Sequence, residues 1–288
     1  MANGNNQGGP RGGVPAAAQS RIHHSIQSGA AATSFFDHSG FLLMDEMGFE
    51  PVGAVIGLSV MHIGRPQIAG LRQAVELDQF SNAISMGLVT SLRRLQEEAH
   101  ALGADGVILS SLVSERPFDA EEHEYSIRGT AVRFSPRPGA LRAASGAPFV
   151  SVLNGRQLYQ MLKRGYTPVT CGYGVCVYHV PHRTVRQSIT QTFQNTEIPQ
   201  FTDAWYTARE IALSRVQAEM ESHGAHVIIN LDVEERVEAF GEHTAEFRAF
   251  GSGWAKRPDI AGLVPDVDFS PYGLVEHGVY PTTSYRQP

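Results

Sequence analysis

The chain has 288 residues, with 29 acidic and 23 basic side chains and a formal charge of −6. Its 42% hydrophobic and 18% charged content fits a globular protein with one or two cores, and excludes a fully disordered or fibrous chain. An acidic balance also argues against a general nucleic-acid binder, which needs a basic face to displace counterions from phosphate.

In chain order, residues 1–32 are rich in Gly, Asn, Ala and Pro and read as a tail, irregular unless a partner orders it. No basic stretch there leads into an apolar one, as a secretory signal would require. A first short helix is expected over 41–47, capped by Asp37 or Ser39, with Gly48 as the left-handed residue that stops it. Pro51 suits the first position of a strand over 52–61, which is apolar or small at both parities. That run is too short for the roughly 18–20 apolar residues of a membrane helix.

Phe80, Ile84, Leu88, Leu92, Leu95, Ala99 and Leu102 then recur at three or four residues, the stripe of a long amphipathic helix ended by Gly103. Strands follow over 107–114 and 125–134. The same order returns: a short helix over 157–164 capped by Asn154, a strand over 169–178, a long helix through Phe201, Trp205, Ala208, Ala212, Val216 and Met220, and strands over 227–234 and 246–255. A tail over 258–288 mixes proline with Phe269, Tyr272, Tyr280 and Tyr285; it reads as flexible, or as an extended segment that recruits a partner.

The return is a duplication. Gly48, Phe49, Pro51, Val52, Gly57, Val60 and His62 recur 117 residues later as Gly165, Tyr166, Pro168, Val169, Gly174, Val177 and His179. Leu92, Arg94, Gln96, Glu98, Gly103, Ala104 and Ile108 recur 121 residues later as Leu213, Arg215, Gln217, Glu219, Gly224, Ala225 and Ile229. Self-similarity at this period predicts an α+β fold built as a tandem repeat of two β-α-β-β units. In each, an antiparallel three-stranded sheet packs on one long helix and a short helix precedes it. One helix covers one sheet face, so the strands' second apolar face calls for a partner and predicts a homo-oligomer.

The pattern G-[FY]-x-P-V-x-x-x-x-G-x-x-V-x-H-[IV], followed by a long helix and a Gly-Ala step into an apolar strand, resembles the YbjQ-like family, which is labelled "putative heavy-metal-binding domain". The resemblance covers 34–136 and 148–257 and places domains at 33–137 and 147–257 between the two tails. It implies dodecin-like subunits that close into rings, typically pentamers. For a tandem chain it suggests five copies building two stacked rings, or a larger shell. The activity of the family is not established.

His62 and His179 stand at strand ends in both units, and His182 follows in His179-Val-Pro-His182. In a ring, copies of these imidazoles could share a zinc or copper ion, against the plainer reading of histidines hydrogen-bonded at strand termini. Cys171 and Cys176, five residues apart on one strand, point to opposite faces and cannot chelate one ion; they read as small buried residues without a disulfide framework. His23 and His24 lie in the tail and are not preorganised for metal.

Glu97, Glu98 and His100, with Glu219, Glu221 and His223, lack the His-Glu-x-x-His spacing and read as solvated helix faces. Arg94 with Glu98 and Arg215 with Glu219 form expected i,i+4 pairs. Gly172 and Gly174, like Gly251 and Gly253, fall within strands rather than opening a helix. They therefore read as close backbone approach, not as a phosphate cradle. Tyr173, Tyr178, Trp205 and Trp254 are core residues or the lining of an intersubunit ligand pocket. No nucleophile elbow or Ser-His-Asp set stands out.

The expectation is a cytoplasmic, non-enzymatic ring or shell with no membrane span, binding metal or a small ligand at its interfaces. The alternative is a scaffold whose tails recruit a protein partner. An enzyme with an intersubunit site has the least support.

Overall fold

The computed structural model describes residues 13–64, 73–115, 121–180, 198–237 and 244–269. The amino-terminal segment carries a helix, α1 (Ala16–Ser28), which the Gly-rich composition had hidden. Arg21 on α1 bonds Glu98 at 2.8 Å and the Ala54 carbonyl at 3.2 Å, and Ile22 is buried, so the helix is anchored.

Helix α2 (His38–Glu46) starts at Asp37, whose side chain accepts from Gly40 N–H, and Gly48 leaves it at φ 81°. Strand β1 (Phe49–His62) begins three residues before the expected run, and Pro51 lies at a register shift inside it rather than at its start. A two-residue strand β2 (Val75–Glu76) precedes α3 (Asp78–Ala101). Strands β3 (Gly106–Glu115) and β4 (Glu122–Phe134) complete the amino-terminal half. In the second half come β5 (Phe149–Ser151), α4 (Gly155–Lys163), β6 (Tyr166–His179), α5 (Pro199–Ser222), β7 (Val227–Val237) and β8 (Thr244–Lys256). Asn154 and Gln157 form a reciprocal capping box at α4, which satisfies two amide donors at once.

The fold is α+β with two sheets, but each has four strands rather than three, ordered β1-β4-β3-β5 and β2-β6-β8-β7. The fourth strand comes from the other half of the chain. β5 pairs in parallel with β3, and β2 pairs antiparallel with β6. Each exchange caps an edge that would otherwise present unpaired backbone groups. The linker is tied down by buried Asp105, which accepts from Phe134 N–H (2.9 Å), Gly139 N–H (2.8 Å) and Arg142 Nε (3.0 Å).

Helix α3 lies between the sheets, packed on β1 and β4 and also on β6. Ile84, Leu88, Leu95 and Ala99 are almost wholly buried, each large side chain contributing about 1.5–3 kcal/mol. Close approach of helix to strand depends on glycine. A Cβ at Gly57 would lie 1.8 Å from the Ser91 carbonyl oxygen, and one at Gly174 1.8 Å from that of Ala212.

The carboxy-terminal segment continues into a 3-10 turn (Pro258–Leu263) and packs on α4, with the Phe269 and Tyr159 rings 5.0 Å apart. Tyr272, Tyr280 and Tyr285 lie outside the described residues.

Gly57→Ala is expected to lower stability by about 1–3 kcal/mol through overpacking, read as a fall in Tm. Gly262→Ala, with nothing within 4 Å of its Cβ, is the control and leaves Tm unchanged.

Candidate functional site

The face of sheet two away from α5 is closed by the first half of the chain. Tyr173, Val175 and Val177 on β6, with Phe250 and Trp254 on β8, join the large core built on α3. Cys176, Ala245, Phe247 and Ala249 face Ala208, Ala212, Val216 and Met220 of α5 in a smaller second core. Tyr173 and Trp254 are therefore packing residues, and the pocket-lining reading does not hold for them.

The polar fastening of this interface is compact. Leu77 N–H donates to the Val177 carbonyl at 2.8 Å, and Val177 N–H donates to Ser81 Oγ at 2.9 Å. Arg215 grips Glu76 with both terminal nitrogens, at 2.5 and 3.0 Å, and donates to the Val175 carbonyl at 2.6 Å. Burial raises the Glu76 carboxyl, but the bonds from Arg215 and Ser81 outweigh it and hold its pKa below the usual 4.5. Deeper in, Arg248 pairs with buried Glu246 and sits 5.9 Å from the Tyr125 ring. Burial works against the Arg248 charge, and Glu246, together with Tyr125 and Glu234, more than restores it.

The corresponding face of sheet one is different. Ile56, Leu58 and Val60 are 44%, 44% and 56% exposed, whereas Tyr173, Val175 and Val177, their counterparts 117 residues on, are 6%, 1% and 0% exposed. The edge of β1 is met by side chains instead: Arg94 donates to the Leu58 carbonyl at 2.6 Å, and Glu98 accepts from Ile56 N–H at 3.2 Å. Glu98 is thus buried, not part of a solvated face. Burial raises its pKa, only partly offset by Ile56 N–H and Arg21. Arg215 spends its guanidinium on Glu76, so the helical pair expected with Glu219 is replaced by a tie between the halves.

His62 is exposed, its Nε2 3.8 Å from Glu121 Oε2. His179 is buried on the other sheet, opposite Thr244 and beside β2. His182 lies outside the described residues. One imidazole and one carboxylate at the rim fall short of the four ligands zinc takes, and no group of three His, Cys, Asp or Glu converges among the described residues. Cys171 and Cys176 are buried in the two separate cores, and burial pushes both thiols up to about 12. No helix among the described residues is long and apolar enough to cross a membrane.

Sequence reasoning did not find Glu76, β2 or β5. The available signals were an isolated Val75-Glu76 pair before a helix and the apolar run from Phe149 to Leu153.

These features coincide with a known family. The YbjQ-like family, described as "Putative heavy-metal-binding", matches residues 48–135. The chain belongs to this family. It is 36% identical over 236 residues to the encapsulin nanocompartment protein Rv1762c of Mycobacterium tuberculosis, covering 82% of this chain and 88% of that one. It is also 36% identical over 89 residues to a UPF0145 protein of Helicobacter hepaticus, covering 30% of this chain and 85% of that protein. No solved structure matches.

The Glu76–Arg215 pair sets a pH dependence. A carboxylate whose folded pKa is depressed adds stability above its unfolded value of about 4.5, and that stability is lost as pH falls through the lower folded value. Glu76→Gln is expected to cost about 1 kcal/mol near neutral pH, with the deficit vanishing on acidification below 4.5, read from denaturant midpoints.

Proposed function

We propose that the chain is a non-enzymatic building block of two YbjQ-like units, 33–137 and 147–257, between tails 1–32 and 258–288. It assembles with copies of itself into a cytoplasmic ring or shell and works as a component of a nanocompartment. The observation that carries the reading is the apolar outer face of sheet one, Ile56, Leu58 and Val60, whose counterparts Tyr173, Val175 and Val177 are buried. Exposed apolar surface of this kind marks an interaction site. The nanocompartment protein named above, similar over most of both chains, supports the assembly reading. The two-unit reading draws support from the Helicobacter relative, most of which matches less than a third of this chain.

Light scattering at micromolar concentration is expected to give a multiple of 31.3 kDa. A monodisperse single chain overturns the proposal.

We propose a second role, binding zinc or copper through His62, His179 and His182; the family description speaks only of heavy-metal binding in general. Among the described residues His62 is exposed at the rim and His179 is buried, so such a site draws on a neighbouring copy. Metal content after dialysis is expected to fall in a His62→Ala/His179→Ala variant; equal content ends this role.

A further inference from the structure

Within the chain, the first half docks on the second through three contacts. Helix α3 covers the outer face of β6, β2 caps the β6 edge, and β5 extends sheet one at β3. Two of them, the helix cover and the strand added at β3, have a counterpart without a partner among the described residues. Helix α5 packs on β6 and β8 on one side only, leaving Tyr206 56% exposed and Arg209 41% exposed where α3 has Leu88 at 1%. Strand β7 is the edge of its sheet, with Val227 and Leu231 exposed.

Residues 32–34, which stand 117 before β5, are exposed, whereas Phe149, Val150 and Ser151 are buried. They are nevertheless shaped like β5. Phe36 N–H donates to Ser34 Oγ at 2.9 Å, as Leu153 N–H does to Ser151 Oγ at 3.1 Å. Thr33 Oγ1 accepts from Ala54 N–H at 3.1 Å, at the position where Cys171 Sγ meets the Val150 carbonyl at 3.7 Å. The segment therefore already lies against its own unit as β5 does, and lacks only the sheet edge.

We propose that a second copy of this chain docks head to tail: residues 32–34 of one copy add as a parallel strand to β7 of the next, whose α5 covers Ile56, Leu58 and Val60. By the internal register, Gly106 opposite Phe149 becomes Val227 opposite Ala32, and Val107 opposite Val150 becomes Ile228 opposite Thr33. The exchange of sizes fits. A Cβ at Gly106 would lie 2.2 Å from the Phe149 ring, so the large ring needs the bare glycine, while Val227 pairs with a methyl group.

An open groove of about 440 Å³ between α5 and β7, lined by Leu213, Gln217, Ala225 and Ile228, receives the incoming segment. Gln217 stands where Gln96 donates to the Pro148 carbonyl at 2.9 Å, the residue before β5. The β3 edge is already filled by β5 of the same chain, so like units cannot join in this manner. The two units alternate around one assembly instead of forming two stacked rings of like units.

This proposal rests on the oligomer reading above, and cross-linking separates the two. Adjacent parallel strands lie about 4.8 Å apart, within the 4.4–6.8 Å span of a disulfide. Co-expressed Ala32→Cys and Val227→Cys single variants are expected to form a cross-linked pair under mild oxidation, and neither is expected to cross-link alone. Cys171 and Cys176 are buried and stay silent. Leu58→Glu, on an exposed side chain, is expected to reduce the particle to the 31.3 kDa chain with unchanged circular dichroism.

Multimers in which the variants do not link, or in which Ala32→Cys links to itself, overturn the docking mode and leave the oligomer standing. A wild-type chain that stays single overturns both.

Discussion

Every large feature of this protein follows from the need to cover both faces of strands that are apolar on both. β6 shows the requirement met: eleven consecutive residues, Thr167 through Val177, are buried, with α5 on one side and the first half of the chain on the other. Near-continuous apolar strands are the usual sign of a sheet enclosed on both faces. Helix α3 meets the need twice, since it lines its own sheet and closes the next. A helix in that position is buried around much of its girth, so Ser81, Thr90 and Ser91 are buried along with its leucines.

Repetition within one chain made the order of elements readable. Gly48 and Gly165 at positive φ, the caps at Asp37 and Asn154, and the long helices all lie where turn chemistry and period placed them. What escaped was exchange between the halves. β2 and β5 are two and three residues long, too short to show a period of two, and their partners are distant in sequence. Glu98 was misread for a related reason. Its burial depends on Arg21 arriving from α1, a helix of modest amphipathicity set in a Gly- and Ala-rich stretch.

The candidate histidines show the limit of a repeat as evidence for chemistry. His62 and His179 occupy the same strand position, yet one is exposed and the other buried, because β2 runs beside β6 and β1 has no equivalent neighbour among the described residues. Equivalent sequence positions become inequivalent environments when the chain covers one strand and leaves its counterpart open. The same inequality separates Leu58 from Val175 and Leu88 from Arg209.

Asp105 adds a mechanical consequence. Its three bonds pin the stretch that joins the halves, and Arg257 Nη1 holds the Ala140 carbonyl of that stretch from the far side at 2.9 Å. With the joint locked, the tilt between one sheet and the next is constant in every copy. In the head-to-tail docking proposed above, that fixed tilt turns each added copy by the same angle as the one before it.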